Sequence, residues 1–130
     1  INGIIAEGWI EDSELDELMN KAGFLLMPSK HEGMPLSLID ALASGLPAIV
    51  SKTCSPFINQ GGVVVNERNI QTWKQEIKKQ MNDIEGWKIM SKNSRNDVEG
   101  LDPETDRIRW GTIYDEITKI NFRNTEFKSY

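Results

Sequence analysis

Short apolar runs alternate along this chain with stretches whose apolar residues recur every three or four positions, the pattern of strands separated by helices. "NGIIAEGWI" (2–10) has the composition of a strand followed by a Gly-containing bend. "EDSELDELMNKAG" (11–23) predicts a helix capped by Asp12 or Ser13, with an apolar face of Leu15, Leu18, Met19 and Ala22 and a left-handed stop at Gly23. "FLLMPS" (24–29) is a continuous apolar run ended by Pro28, as expected of a central strand buried on both faces. The next helix is expected to begin at Pro35, where a missing N–H costs nothing. It would turn Leu38, Ile39, Leu42, Ala43 and Leu46 to a sheet, with Gly45 ending it and Pro47 preventing its restart. "PAIVS" (47–51) reads as another buried strand and "GGVVVNE" (61–67) as a third apolar strand.

Beyond residue 68 the helical period dominates. Ile70, Trp73, Ile77, Met81 and Ile84 mark one face of a helix over 69–84, which Gly86 is expected to break before a shorter helix over 87–98. Asp102-Pro103 reads as a cap followed by a first-turn proline, and Trp110, Ile113, Tyr114, Ile117 and Ile120 mark the face of a last helix. The tail "NFRNTEFKSY" has no usable period. The fold class that follows is α/β: a partial Rossmann-like parallel sheet with flanking helices and a helical C-terminal region.

Composition narrows the class without naming it. At 130 residues, with 38% hydrophobic and 27% charged positions, the chain suits one globular domain rather than a disordered segment. The net charge of -5 and the lack of a basic run argue against nucleic acid as the main partner. No apolar run approaches the roughly 20 residues that span a bilayer, and no charged-then-apolar leader opens the chain. A single cysteine, Cys54, cannot form an internal disulfide, so a reducing, cytoplasmic setting is the default. Ile1 falls inside the first strand pattern, and the expectation is therefore an N-terminally truncated domain.

The chemistry concentrates in "HEGMPLSLIDALASGLP" (31–47). A strand running into a short loop and a helix N-terminus lies at the carboxyl edge of a parallel sheet, where open α/β folds bind ligands. The N–H groups of Met34, Leu36 and Ser37 would be free there and favour an anion such as phosphate. Asp40 sits about 7–8 Å from the helix start at 1.5 Å rise per residue, within reach of a ribose. Ser37, Asp40 and Ser44 share the face turned away from the sheet. Glu32, in the loop, stands on the other side of the phosphate position. Spacing alone leaves two readings open: a nucleotide-sugar site bracketed by two acids, or acids that only complement a helix dipole in water.

The remaining candidates carry less. His31 is the only histidine and has no second ligand for a metal. Cys54 has no adjacent base and reads as a loop thiol. Trp73, Trp87 and Trp110 fit core or docking positions, and the acids of "EDSELDE" (11–17) fit a solvated helix start.

"FLLMPSKHEGMPLSLIDALASGLPAIVS" (24–51) closely resembles the signature segment of retaining GT-B glycosyltransferases of the group 1, or family 4, type. Pro28, Ser29, Glu32, Gly33, Ala43, Gly45, Pro47 and Ser51 match that pattern in register. "AEGWIEDSELDELMNKAG" is similar to the strand-turn-helix preceding the motif, and "WGTIYDEI" resembles the family's closing helix. The resemblance implies the C-terminal, donor-binding half of a GT-B fold. It implies Glu32 as the catalytic-site acid against the donor sugar and Asp40 as the ribose ligand. Gly33, Met34, Pro35, Leu36 and Ser37 would lie against sugar and phosphate. Two residues depart from the pattern: Asp40 is one methylene shorter than the usual glutamate, and Pro35 replaces a frequent glycine.

The implied activity is transfer from a nucleotide-diphosphate sugar to a hydroxyl acceptor with retention, of hexosyltransferase type and without metal or other cofactor. The phosphate-clamping basic residues and the acceptor domain would lie upstream of Ile1. The different class of function is a non-catalytic nucleotide-sugar-binding or assembly module. The setting is cytoplasmic, either free or peripheral at the inner membrane face. The isolated piece is expected to be inactive, and either to re-pair "GIIAE" beside "FLLMP" or to dimerise by exchanging that strand.

Overall fold

The sheet has three parallel strands in the order β1 (Leu25–Met27), β2 (Ala48–Ser51), β3 (Gly62–Val65). The computed structural model describes residues 3–66 and 69–119. Leu25 pairs with Ala48 and Met27 with Val50, while Ala48 pairs with Gly62 and Ser51 with Val65. Helices α1 (Asp12–Lys21), α2 (Leu36–Ala43), α3 (Ile70–Met81) and α4 (Ile84–Asp97) complete the unit spanning residues 1–98. A separate unit, residues 99–130, contains α5 (Pro103–Lys119). The expected α/β architecture with a parallel sheet and a helical C-terminal region is what the chain adopts.

The core forms where α2 meets the sheet. Leu38, Ala41 and Leu42 of α2 and Ala48, Ile49 and Val50 of β2 are fully buried. Burying each leucine contributes about 1.5–3 kcal/mol. Met19 of α1 joins Ala41 and Leu46, with Leu15 and Leu25 packed against them. Ala41 therefore holds the position expected of Ala43, which is exposed. The C-terminal turn of α2 closes with Gly45 in the left-handed region, φ 85°, as its place before Leu46-Pro47 predicts.

α4 holds this arrangement from behind. Arg95 donates to the carbonyls of Ala43 (3.0 Å) and Ser44 (3.1 Å), and Ser91 donates to the carbonyl of Gly45 (2.7 Å). These donors satisfy carbonyls that a helix end leaves without partners. Trp87 Nε1 donates to the Gly23 carbonyl at 2.6 Å, tying the chain after α1 to the same helix.

Several expectations are corrected. Residues 3–10 form no strand: Ile4, Ile5 and Trp9 are exposed, and Gly8 makes a left-handed bend at φ 71°. A strand needs a ladder partner, and none lies beside this segment among the described residues, so "GIIAE" does not re-pair with "FLLMP" in the chain. β1 is consequently an edge strand rather than a central one, with Leu26 47% exposed. α1 is preceded by Glu11, not capped by Asp12 or Ser13; the Glu14 carboxylate accepts the Glu11 N–H at 3.1 Å. α1 ends through extended Ala22, so Gly23 supplies no left-handed stop.

The long helix expected over 69–84 ends at Met81, and Ile84 opens α4. Trp73 and Ile77 are half-buried while Ile70, Met81 and Ile84 are exposed. Gly86 does not break a helix; it lies in the first turn of α4, where a Cβ would collide with the capping carboxylate of Asp83. In the second unit, Pro103 is the first residue of α5 and Asp102 Oδ1 accepts the Thr105 N–H at 2.9 Å, as the Asp-Pro pair predicts. Trp110 and Tyr114 meet along that helix as a tilted pair, ring centroids 6.1 Å apart and planes at 38°. Ile1, Asn2, Glu67, Ile120 and the tail 121–130 lie outside the described residues.

Candidate functional site

β1 and β2 run parallel, so the loop after Met27 and the segment after Ser51 leave the same carboxyl edge side by side. The first loop carries His31, Glu32, Gly33 and Met34 into α2. The second is a 3-10 turn over Lys52–Phe57. Two hydroxyls join them: Ser51 Oγ donates to the Ser29 carbonyl at 2.7 Å, and Thr53 Oγ1 donates to the Lys30 carbonyl at 3.2 Å. Ser51 is buried, so its bond is shielded from competing water.

Beneath the loop lies Cys54, fully buried rather than a surface-loop thiol. Burial pushes its pKa up, the negative charge of Glu32 adds to the rise, and a hydrogen bond with the Ser51 side chain opposes it. The thiol is therefore held protonated, which agrees with an inert packing residue. Glu32 itself is half-buried.

The start of α2 differs by one position from expectation. Pro35 is the residue before the helix, fully buried, with Leu36 as the first helical residue. The Leu36 N–H is not free, because it bonds the Met34 carbonyl at 3.0 Å. The N–H groups of Met34 and Ser37 have no acceptor among the described residues. Gly33, Met34, Leu36, Ser37 and Asp40 are all exposed around them, and Glu32 is the most enclosed acid of the group. Asp40 lies on the outer face of α2 with Ser37, as its spacing predicts, while Ser44 is half-buried and donates to the Asp40 carbonyl at 2.8 Å. His31 is exposed, and among the described residues no three His, Cys, Asp or Glu side chains are grouped as a metal-ligand set.

A groove of about 440 Å³ adjoins this loop on the face of β1 opposite α2. Leu26, Ile70, Trp73 and Ile77 form its apolar walls, and Pro28, Lys30 and Ser51 its end nearest the loop. Neither Glu32 nor Asp40 lines it. Ser51 and Thr53 were not singled out as site residues from sequence. A signal existed: the apolar runs "FLLMPS" and "PAIVS" each close on a serine, and the register of β1 with β2 carries Ser51 level with the residues just after Met27.

This carboxyl edge thus brings together Glu32-Gly33, the N-terminus of α2 and a second acid, Asp40, on the same helix. Residues 2–97 match the glycosyl transferases group 1 family, and the chain belongs to it. It is similar to the Bacillus subtilis (strain 168) protein named "Putative glycosyltransferase EpsF", with 33% identity over 72 residues. That match covers 52% of this chain and 19% of the relative's length. No helix among the described residues is long and apolar enough to cross a membrane.

Proposed function

We propose that this chain is the donor-binding domain of a retaining, family 4-type glycosyltransferase that moves a hexosyl unit from a nucleotide-diphosphate sugar to a hydroxyl. One observation carries the reading: a group 1 chain presents Glu32 and two acceptor-free N–H groups, of Met34 and Ser37, at one strand-loop-helix junction. In this reading the diphosphate lies on those N–H groups at the positive end of α2. Asp40 accepts from the ribose hydroxyls. Glu32 faces the sugar, and Gly33, Pro35 and Leu36 line the floor between sugar and phosphate.

The chemistry this asks of the chain is modest. As the bond between the sugar and the diphosphate breaks, negative charge grows on the leaving phosphate. Fixed N–H donors stabilise that charge without reorganising, and basic residues elsewhere in the whole protein would add to them. Glu32 stabilises the positive charge that develops on the sugar. No general base is assigned within the chain, and the acceptor domain belongs to the rest of the whole protein. The setting proposed is cytoplasmic. The exposed Ile4 and Ile5 and the open edge of β1 also favour pairing between two copies of this chain, which sedimentation would read.

The test is a panel of sugar nucleotides offered to the whole protein that carries this domain. Hydrolysis or transfer with one of them supports the reading. Binding without turnover supports instead a nucleotide-sugar-binding module that kept the fold.

A further inference from the structure

We propose that Ser51 and Thr53 are positioning residues: together they clamp the loop over residues 29–34 to the 3-10 turn and so set where Glu32 stands. The inference deepens the proposed function, because the loop's role in the reaction rests on that reading. Its evidence is separate. A loop that must hold one carboxylate within a fraction of an ångström of its working place needs support from rigid elements. The helix side of this loop is anchored through buried Pro35. Among the described residues, the strand side has no ladder beyond Met27, and β1 is paired along one edge only. Two hydroxyl-to-carbonyl bonds fill that gap, at Ser29 and at Lys30, directly before His31-Glu32.

The donors themselves are well founded. Ser51 is the last residue of β2, paired in register with Val65, so its backbone is fixed by a central strand. Cys54, three residues on in the 3-10 turn, is fully buried, so the segment that follows Ser51 is itself packed into the fold. Thr53 follows inside the 3-10 turn, and its β-branched side chain has few rotamers to lose on binding the Lys30 carbonyl. The clamp thus transmits the rigidity of β2 to the loop.

The test uses the chain labelled with nitrogen-15 and compares wild type with Ser51→Ala/Thr53→Val, Thr53→Val alone and Thr53→Ser. Heteronuclear relaxation of the amides at 30–34 is the primary reading, with those of β2 and β3 as controls for the fold. A second reading is the dissociation constant for uridine, guanosine and adenosine diphosphates. In the double variant the order parameters at 30–34 are expected to fall from the rigid range, about 0.85, to below about 0.6, with β2 and β3 unchanged. Any diphosphate that binds wild type should bind the double variant roughly five- to tenfold more weakly, since two hydrogen bonds that order the site are gone. Thr53→Ser keeps the hydroxyl and should restore wild-type behaviour, which a loss of packing alone would not.

Unchanged order at 30–34 in the double variant overturns the proposal. If the double variant does not fold, Thr53→Val alone decides, because it removes one hydroxyl without changing side-chain shape. Loop order is read without any ligand. A wild-type chain that binds no diphosphate would therefore count against the proposed function, while the clamp is judged on relaxation alone.

Discussion

Asp97 offers the sharpest test of how this fold is held. It is the last residue of α4, where a negative charge opposes the helix dipole. Its position makes sense only through what it accepts: the N–H groups of Asn59 (2.9 Å), Gln60 (3.0 Å) and Gly61 (2.7 Å), the whole turn leading into β3. Gly61 is buried and so tight against α4 that a Cβ would meet the backbone of Ser94. Replacing Asp97 with alanine leaves that N–H with neither partner nor easy access for water, at about 1–3 kcal/mol. The exposed N–H groups of Asn59 and Gln60 can turn to water and lose about 0.5–1 kcal/mol each. Removing the ill-placed charge returns some 0.3–1 kcal/mol.

The net cost expected of Asp97→Ala is thus about 1–5 kcal/mol, or a fall in melting temperature of roughly 4–20 °C at about 4 °C per kcal/mol. Asp97→Asn keeps one carbonyl oxygen and should fall between the two. Urea unfolding followed by tryptophan fluorescence gives the free energies, and an unchanged m-value shows that the same surface is exposed. An Asp97→Ala variant within about 0.5 kcal/mol of wild type would refute the claim that this carboxylate fastens the turn, since a surface substitution would do no more.

Other outcomes follow from the same geometry. Leu42→Ala should cost about 2–5 kcal/mol in urea unfolding, because a fully buried side chain between α2 and β2 leaves a cavity; a loss under 1 kcal/mol would place the core elsewhere. On the proposed reading, Glu32→Gln in the whole protein that carries this domain should lower kcat about a hundredfold, whereas Asp40→Asn should raise the donor KM roughly tenfold with kcat nearly kept. Equal kcat losses contradict those roles. The Asp102 carboxyl is held below its ordinary value by hydrogen bonds from the Thr105 side chain and N–H. Its cap on α5 is therefore present above the unfolded-state pKa and is lost as pH falls through the lowered folded value. A pH titration of the Thr105 amide shift with a midpoint at or above the ordinary carboxylate value would contradict this.

How much of this was legible before the structure depends on how local the cause is. α2, β2 and β3 were readable because apolar run length, a closing Gly45 and a blocking Pro47 act within a few residues. The Asp102 cap was readable for the same reason. Residues 2–10 carried a strand's composition, but a strand exists only where a neighbour supplies the other half of its ladder, and no composition states that. β1 reads as central for the same reason: the run "FLLMPS" is apolar, yet among the described residues only one of its edges is paired. Gly86 looked like a breaker because glycine costs a helix entropy, whereas here its missing Cβ makes room for the Asp83 carboxylate.

At the site, Glu32 and Asp40 stood out because their spacing around a helix start is a local pattern. The half-burial of Glu32 was not readable, since 3-10 turn and loop meet only through the register of two strands. Ser51, Thr53, Arg95 and Asp97 were hidden for a related reason. Each bonds a main-chain atom more than 20 residues away, and the main chain has no letter in the sequence.

The central claim is that the junction of β1, its loop and α2 binds the diphosphate of a nucleotide-sugar. Amide shifts of the labelled chain, followed while nucleoside diphosphates and their sugar derivatives are added, test it most directly. The account predicts shifts centred on residues 31–40, largest at the N–H groups of Met34 and Ser37, with the sugar derivative adding a change at Glu32 and Gly33. Shifts centred on the apolar groove of Leu26, Trp73 and Ile77, with residues 31–40 unmoved, would contradict it.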